Sequence, residues 1–563
     1  SVRRGECVAL LGRNGSGRTT TLRAIMGLTG KRTGSIMING REAVNLPPHK
    51  IAQLGVGYCP EERGIYAGLS CEENLLLPPL VGSGGMSVDE LYAMFPNLSE
   101  RRHSPGTKMS GGEQQMLAMA RILRTGARLL LLDEISEGLA PVIVQRLAEV
   151  ITTLKARGFT ILLVEQNFRF AAPLADRLFV VEHGQVVAEI AQHELQEKQA
   201  FLQEALGVSR GPPLPPPAPA SACILHSAAV GRPAGHRPCR PACPGRRHAR
   251  ARSEADTGAP PSFSESPPMH EFFGVPLPAL LGQLTLGLVN GSFYAMLSLG
   301  LAVIFGMLHI INFSHGACYM MGAMFTWMAL EYLGLGYWWA LLLVPLVVGG
   351  IGIVLERLLL RRLYRFDYLY ALLLTFGLAL MIEGGFRQAF GVAGQPYAIP
   401  EALAGAFDLG FMMLPRYRAW VIVVSLSVCL FTWFMIEKTR LGAYLRAATE
   451  NPGLTQAFGI NVPLMVMLTY GFGVGLAGLA GVLAAPTAQV GPLMGSNLII
   501  VVFAVVVIGG MGSILGSVIT GLGLGVIEGL TKVIYPEASA VVVFVIMAVV
   551  LWFRPAGLFG KGA

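Results

Sequence analysis

Charge is scarce in this chain, and long stretches of its second half contain none. Charged residues make up 14% of the 563 residues, whereas hydrophobic residues make up 53%. A large soluble core would also give a high apolar fraction, but an uncharged run of about 20 residues has the length that crosses a bilayer. Runs of this kind cover residues 279–309, 338–355, 419–436 and 462–490. The second half therefore predicts a membrane protein rather than a soluble core.

The chain also lacks a cysteine framework and a cleavable signal peptide. Its eight cysteines are dispersed: Cys7, Cys59 and Cys71 lie in the charged first half, and Cys318 and Cys429 lie in apolar runs. Disulfides are rare in the cytosol, and no apolar segment with a basic start precedes the first half. We therefore expect the first half to lie in the cytosol.

Most basic residues are spread along the chain, so the net charge of +8 does not by itself indicate nucleic-acid binding. Two basic clusters flank apolar runs, and basic residues beside membrane spans are typical of cytoplasmic loops. The clusters consist of Arg357, Arg361, Arg362 and Arg365, and of Lys438, Arg440 and Arg446. We predict membrane lipid as a partner and no nucleic acid.

Composition divides the chain into three predicted regions. Residues 1–208 mix charged and apolar residues like a soluble α/β domain, residues 209–268 are rich in Pro and Arg, and residues 269–563 are mostly apolar. Proline runs disfavour helix, and a polar, Arg-rich segment cannot bury enough apolar surface to fold. The middle region therefore predicts a disordered linker between two domains.

A glycine-rich loop follows the first buried-strand pattern. Residues 8–11 are apolar, residues 12–19 form the loop, and residues 20–26 have a helical pattern. In this order, backbone N–H groups and a helix N-terminus bind phosphate. The predicted nucleotide contacts are Gly12, Asn14, Gly15, Ser16, Gly17, Arg18, Thr19 and Thr20. Arg18 stands where such loops carry lysine, and because arginine is bulkier and planar, hydrolysis at this loop is an open question.

Two further motifs accompany the loop. A Ser-Gly-Gly-Glu-Gln run opens a helical pattern at residue 110, and the later apolar run 129–132 ends in Asp133 and Glu134. A serine and two glycines at a helix start leave N–H groups free for an anion. In this order and spacing, the three motifs resemble the ATP-binding subunit of ABC transporters. The resemblance covers residues 1–208 and implies an α/β P-loop ABC ATPase fold with a helical subdomain.

The resemblance assigns roles to the motif residues. Thr19 and Asp133 would hold Mg²⁺, and Glu134 would act on the attacking water as a general base or as its positioner. Glu61 and Gln166 stand where the branched-chain amino-acid branch of the family has its switch residues. The signature residues would contact ATP held by a second ATPase subunit; they are Ser110, Gly111, Gly112, Glu113 and Gln114. The fold also implies a first strand and an adenine-stacking aromatic ahead of the sequence.

Residues 269–563 resemble the permease subunit of the branched-chain (hydrophobic) amino-acid uptake family. Matching stretches begin at Asn290, Ile311, Gly509 and Phe553. The resemblance implies an all-α polytopic transmembrane fold of eight to ten helices. Residues 441–461 are polar and match the cytoplasmic coupling helix of such permeases in position, with a solvated loop as the alternative. The predicted coupling residues are Arg446, Glu450, Asn451 and Pro452.

Few charged residues interrupt the apolar pattern of the second half. Glu383 and Arg387 are four residues apart, as are Glu528 and Lys532. An ion pair at a helix end is the simpler interpretation, and a role in a transport path is the alternative.

Together the resemblances imply ATP-driven import of branched-chain or other hydrophobic amino acids across the bacterial inner membrane, with ATP and Mg²⁺ as cofactors. Urea and short amides are alternative substrates. The implied partners are a second ATPase subunit, a second permease subunit and an extracytoplasmic substrate-binding protein. Three alternatives stay open: a nucleotide-binding module whose hydrolysis is impaired at Arg18, an artefactual fusion of two neighbouring subunits, and a passive channel for small solutes with a vestigial ATPase. A permease whose first helix starts outside could not be joined to a cytosolic ATPase by a simple fusion.

Overall fold

The computed structural model describes residues 1–195, 197–198, 271–272, 275–308, 310–364 and 366–560. The predicted linker over residues 209–268 lies outside the described residues, and so does Arg365 of the first basic cluster.

A six-stranded sheet organises the first part of the chain. Its strand order is β4-β5-β6-β1-β7-β8, and all neighbours are parallel except β7 and β8. The strands are β1 Cys7–Leu11, β4 Val56–Cys59, β5 Leu129–Asp133, β6 Thr160–Val164, β7 Arg177–Glu182 and β8 Gln185–Ala191. Continuous apolar runs suit strands that are buried on both faces. Because they are parallel, the carboxyl ends of β1, β5 and β6 meet at one edge, where the glycine loop, Asp133 and Gln166 follow.

Eight helices of at least four residues surround this sheet in the described part of the first domain. They are α1 Arg18–Ile25, α2 Pro48–Ala52, α3 Cys71–Leu76, α4 Val88–Met94, α5 Pro96–Glu100, α6 Gly111–Arg124, α7 Pro141–Ala156 and α8 Phe168–Ala171. Two short strands, β2 Met37–Ile38 and β3 Arg41–Glu42, pair with each other. Helices α3, α4 and α6 each begin with a capping box of Ser and Glu, which satisfies N–H groups at the helix start.

The second part of the chain is helical. Its helices are α9 Leu277–Leu308, α10 Ser314–Leu333, α11 Tyr337–Leu355, α12 Tyr368–Phe390, α13 Arg416–Lys438, α14 Arg440–Glu450, α15 Pro452–Ala457, α16 Val462–Ala484, α17 Met494–Gly509, α18 Ile514–Ile534 and α19 Val542–Phe553. Among the described residues, six are long and apolar enough to cross a membrane: α9, α11 (extended to Leu363), α12, α13, α16 and α18. Short hairpins, Glu271–Phe272 with Val275–Pro276 and Ala406–Asp408 with Met413–Pro415, lie before α9 and α13. The predicted combination of an α/β domain and an all-α membrane domain is confirmed.

Two of the six spans contain the Glu–Arg and Glu–Lys combinations singled out in the sequence. Helix α12 contains Glu383 and Arg387, and α18 contains Glu528 and Lys532. The Glu528–Lys532 ion pair is confirmed at 2.6 Å. No Glu383–Arg387 ion pair forms among the described residues. Residues 279–308 belong to one 32-residue helix, so this stretch forms a single span.

Glycines bring α9 and α18 into close contact, as small residues do between membrane helices. A Cβ on Gly521 would lie 2.6 Å from the backbone of Ala295, and one on Gly529 would lie 3.0 Å from Gly287. In α16, a Cβ on Gly471 would lie 3.1 Å from the carbonyl oxygen of Gly349. At these positions the helix backbones approach too closely for any side chain larger than that of glycine.

The membrane helices have a defined direction relative to the ATPase domain. Helix α13 ends at Lys438, next to α14, which contacts the ATPase domain. Met307 in the last turn of α9 packs against the apolar cluster that joins the ATPase core to α14 and α15. Since Gly282 in the first turns of α9 lies near Met412, just before α13 begins, both helices run from the remote membrane side toward the ATPase.

Candidate nucleotide site and its contact with the permease

The glycine loop has the geometry of a phosphate cradle. Gly15 and Gly17 have φ of +78° and +96°, a region that other residues rarely enter. The Ser16 hydroxyl is buried without a hydrogen-bond partner among the described residues. A Cβ on Gly12 would meet the carbonyl oxygen of Val181 and the Ser16 side chain, so the loop floor admits only glycine. An unsatisfied buried hydroxyl and bare backbone fit an oxyanion ligand.

Thr19 and Asp133 form an oxygen pair beside this loop. The Thr19 hydroxyl donates to Asp133 Oδ1 at 3.0 Å, and the Tyr58 hydroxyl donates to Oδ2 at 3.3 Å. Burial raises the pKa of Asp133 to about 6, and the bond from Thr19 opposes the rise. Hydroxyl and carboxylate oxygens are ligands that Mg²⁺ accepts, so the residues present fit this cation.

Arg18 does not point along the loop. Its Nη2 pairs with Glu134 Oε1 at 3.0 Å, and its Nη1 donates to the Glu165 carbonyl oxygen at 2.7 Å. Arg18 and Glu134 are only 4% and 7% exposed. Two bonds of this kind fix a planar guanidinium in one orientation. Arg18, the predicted phosphate-binding cation, therefore neutralises Glu134, the carboxylate predicted to act on the attacking water.

Glu134 is held on its other side by Gln166, whose amide nitrogen donates to Oε2 at 2.7 Å. Glu134 has φ of +48°, which is rare for a residue with a side chain. Burial raises its pKa, and Arg18 opposes the rise. The carboxylate is thus clamped between an arginine and a glutamine.

Most predicted nucleotide residues line one cavity of about 310 Å³. Those lining it are Asn14, Gly15, Ser16, Gly17, Arg18, Thr19, Thr20, Glu61, Glu134 and Gln166. Gly12 lies below the loop, against Ser16. Asp133 lines an adjoining cavity of about 180 Å³ together with Thr19 and Glu61.

The signature residues do not line this cavity. Ser110 caps α6, where Glu113 Oε2 accepts from the Ser110 N–H at 2.8 Å and from its hydroxyl at 2.9 Å. Gln114 donates to the Gly106 carbonyl oxygen at 3.1 Å. Gly111 and Gly112 lie against the side chains of Arg63 and Ile143. The signature is therefore pre-ordered, but away from the chain's own loop.

Polar bonds attach the predicted coupling residues to the ATPase domain. Arg446 Nη2 pairs with Glu73 Oε1 at 2.9 Å, and Glu450 Oε1 accepts from the Ala67 N–H at 2.8 Å. Asn451 caps α15 by accepting from Leu454 N–H at 2.9 Å, and Pro452 is the first residue of α15. A solvated loop is excluded as the form of this segment.

An apolar anchor lies beside these bonds. Arg121 of the signature helix α6 is fully buried, with its guanidinium 4.2 Å from the ring centre of Phe458. The Tyr66 hydroxyl lies 2.9 Å from the Thr455 hydroxyl, and the Tyr66 and Phe458 rings meet edge to face. Cation–π contacts strengthen when they are desolvated. The signature helix is thereby attached directly to the permease.

The second cavity also connects nucleotide and permease residues. Besides Thr19, Tyr58 and Asp133, it is lined by Asn451 and Leu454 of the coupling segment. The oxygen pair beside the loop therefore lies one cavity away from the permease.

Sequence reasoning missed three contributors to the site. Glu165 supplies the carbonyl oxygen that holds Arg18, and its own carboxylate accepts from the N–H and hydroxyl of Ser136. Burial raises the pKa of Glu165 to about 7. Arg121 was detectable as a single charge in the apolar face of α6. Glu137 lies near Glu61 and Glu134, and no sequence pattern distinguished it from other surface acids.

Comparison with known proteins covers both parts of the chain. The profile of the branched-chain amino acid transport system permease component matches residues 283–551, and the ABC transporter profile matches residues 1–137. The high-affinity branched-chain amino acid transport ATP-binding protein BraG of Pseudomonas aeruginosa is 42% identical over 189 residues, or 33% of this chain and 81% of BraG.

Two further relatives extend the match. The high-affinity branched-chain amino acid transport system permease protein BraD of Pseudomonas aeruginosa is 30% identical over 299 residues, or 50% of this chain and 96% of BraD. The probable branched-chain amino acid transport ATP-binding protein LivF of Archaeoglobus fulgidus is 35% identical over 215 residues, or 37% of this chain and 89% of LivF. The chain therefore belongs to the ABC transporter family and combines a nucleotide-binding ATPase domain with a multi-pass permease domain of the branched-chain amino acid type.

Proposed function

We propose that this chain is the ATPase and permease component of an importer for branched-chain or other hydrophobic amino acids. The observation that carries the proposal is the bonded contact between the coupling segment and the ATPase domain, made by Arg446 with Glu73 and by Glu450 with Ala67. This contact joins two domains whose relatives BraG and BraD are named for the same transport.

One group of residues in the site suits the binding of ATP and Mg²⁺, and another suits hydrolysis. The loop N–H groups and Ser16 would hold phosphate, and Thr19 with Asp133 would hold Mg²⁺. Bound Mg²⁺ would offset the negative charge of the phosphates. Gln166 orients Glu134 toward the cavity, where this carboxylate would position the attacking water.

The coupling contact suits alternating access. A shift of the ATPase domain would move α14 and α15, because their polar bonds and the Arg121–Phe458 contact attach them to it. Since α13 and α16 adjoin these two helices, the shift would reach the membrane spans. Rigid-body movement of packed elements is a common form of switching.

The proposed setting is the bacterial inner membrane, with the ATPase on the cytoplasmic side. Leu342, Leu346 and Val354 of α11 are 61%, 68% and 52% exposed, which suits contact with lipid. The signature residues do not line the cavity of the chain's own loop, so a second ATPase subunit is proposed to complete each nucleotide site. A second permease subunit and an extracytoplasmic substrate-binding protein are the other proposed partners.

Uptake by proteoliposomes tests this function. The chain would be reconstituted with its partner subunits and a binding protein, with ATP inside, and the entry of radiolabelled leucine and urea would be measured. We expect ATP-dependent leucine uptake that urea does not reduce. Uptake of urea alone would assign the substrate to short amides, and leucine uptake without ATP would contradict the proposal.

A second candidate is a nucleotide-binding module with impaired hydrolysis at its own loop. The ion pair of Arg18 with Glu134 favours it, because the two groups neutralise each other within the cavity. Robust ATP hydrolysis by the purified chain, without a partner ATPase, would contradict this candidate.

The direction of α9 bears on how the two domains are joined. This helix begins on the membrane side remote from the ATPase, and Met307 at its other end packs near the ATPase. A covalent connection from the ATPase domain to this end of α9 would have to pass the bilayer, where charged side chains are costly. The direction of α9 therefore supports the alternative that ATPase and permease act as two polypeptides. Tags at both ends test this, and a single full-length band in active membranes would contradict it.

A further inference from the structure

We propose that a cavity on the membrane side remote from the ATPase binds the substrate as a zwitterion: an α-amino acid with an aliphatic side chain. The inference rests on the proposed function and names the place where the permease receives its substrate. The cavity has a volume of about 490 Å³, which lies within the range of small-molecule sites.

The cavity lies where a substrate from outside would enter. Helix α16 begins at Val462 beside the coupling segment, whereas its Ala480 and Ala484, which line the cavity, lie near its other end. Thr487 and Ala488 follow at an exposed rim. The lining part of α9 is likewise its remote half. The cavity thus opens away from the ATPase.

Apolar side chains form most of the wall. Phe293 and Leu297 of α9 and Leu498 of α17 line it, and the small residues Gly287 and Gly529 leave it open. An aliphatic side chain released from water would bury apolar surface there. Such a wall gives no advantage to urea.

One cation in this wall has no partner. Arg418 lines the cavity half-buried, and it makes no hydrogen bond or ion pair with any described residue. The other lining cation, Lys532, is paired with Glu528, which also accepts from the Tyr294 hydroxyl at 2.8 Å. A half-buried guanidinium without a protein partner is available to an anion, and arginine binds carboxylates through two parallel bonds.

Two amides complete the polar set. Gln283 and Asn290 project from the α9 face that lines the cavity, and neither makes a side-chain hydrogen bond among the described residues. Their carbonyl oxygens are acceptors that suit an ammonium group. An unpaired arginine, unpaired amides and an apolar wall together match the three parts of an aliphatic amino acid. A neutral amide would leave the guanidinium without its anion.

Equilibrium binding of leucine to the full chain in lipid nanodiscs tests the inference. Arg418→Gln should weaken leucine binding at least about tenfold, the effect of losing a charge-assisted pair. The matched control is Arg416→Gln, because Arg416 is exposed and stacks on Phe407 outside the cavity. It should leave binding unchanged. Asn290→Leu is an independent variant on another helix and should also weaken binding.

Two analogues separate the charged groups of the ligand. Isopentylamine lacks the carboxylate, so its weak binding should not change in Arg418→Gln, whereas 4-methylpentanoate should lose affinity in that variant. Monodisperse size-exclusion profiles would show that the variants are folded. Unchanged leucine binding in both Arg418→Gln and Asn290→Leu, or urea binding that depends on Arg418, would overturn the inference.

Leucine uptake distinguishes this inference from the proposed function. Wild-type uptake that Arg418→Gln leaves intact would overturn the cavity assignment and leave the importer standing. Absence of both leucine uptake and leucine binding in the wild type would overturn the proposed function and the cavity assignment with it.

Discussion

The glycine loop and the signature helix both offer backbone N–H groups to phosphate, but they differ in what surrounds those groups. At the signature, Ser110 and Glu113 cap each other and the two glycines are intact. At the loop, Arg18 is bound to Glu134 and to the Glu165 carbonyl oxygen. A chain can therefore keep the backbone geometry of a phosphate-binding loop while the cationic side chain of that loop is bound to other protein groups.

The difference suggests a division of labour between two ATPase subunits. The signature helix is attached to the permease through Arg121 and Phe458. The signature, whose Ser-Gly-Gly motif is intact, is therefore also in contact with the membrane domain. The chain would contribute mainly by completing its partner's site. Three predictions test parts of this comparison.

Among these three, the largest expected effect concerns the coupling contact. Arg446→Glu places like charges at Glu73, in place of a pair at 2.9 Å. We expect leucine uptake to fall about tenfold or more, while ATP turnover changes less. Arg446→Lys, which keeps the positive charge, should retain most of the uptake, and Lys438→Glu, a charge reversal at an exposed neighbour, is the control. Equal losses in Arg446→Glu and Lys438→Glu would contradict the role of this pair.

The next effect sharpens the comparison at the loop. Arg18→Lys replaces a planar group that bridges to Glu134 and Glu165 with a compact ammonium that suits phosphate. We expect ATP turnover at the chain's own site to rise about tenfold, which corresponds to about 1.4 kcal/mol in the barrier. Arg13→Lys, an exposed position in the same loop, should have no such effect. Lower turnover in Arg18→Lys would show that arginine is the competent residue.

The smallest effect is on stability and concerns the residue that holds Arg18. Burial raises the pKa of Glu165 to about 7, so its protonated form is favoured in the folded state. That contribution is complete at low pH and is lost as pH rises through about 7. The melting temperature of the ATPase domain should therefore fall between pH 5 and pH 8, and Glu165→Gln should reduce the fall by about 2–4 °C.

The control for this measurement is Glu149→Gln, because Glu149 is an exposed acid in an ordinary surface pair with Arg146. Calorimetry of the nucleotide-free chain would supply the melting temperatures. Equal falls in wild type and Glu165→Gln would contradict the assignment of Glu165 as the titrating group.

Sequence patterns predicted the parts of the fold that local chemistry specifies. The glycine loop, the strand ending in Asp133 and the capped start of α6 each depend on a short run of residues. The coupling segment was recognisable because it is polar within an apolar region. Spans α12 and α18 were not among the uncharged runs, since charged residues interrupt them.

The side-chain network could not be predicted from the sequence. The orientation of Arg18 depends on Glu134 and Glu165, which reach it only because β1, β5 and β6 are neighbours in the sheet. The contact of Arg121 with Phe458 joins residues of different domains. Pairings of this kind follow from tertiary packing, and a single sequence contains no local signal for them.

The most direct test of the central claim compares Ser110→Arg with Arg18→Gln in the complex assembled with its partner ATPase. ATP turnover would be measured for both variants under the same conditions. In this division of labour, the capped signature completes the partner's nucleotide site. Ser110→Arg should therefore lower turnover about a hundredfold, the scale of losing positioned donors at a transition state. Arg18→Gln should lower it far less. Equal losses, or a larger loss in Arg18→Gln, would contradict the division of labour.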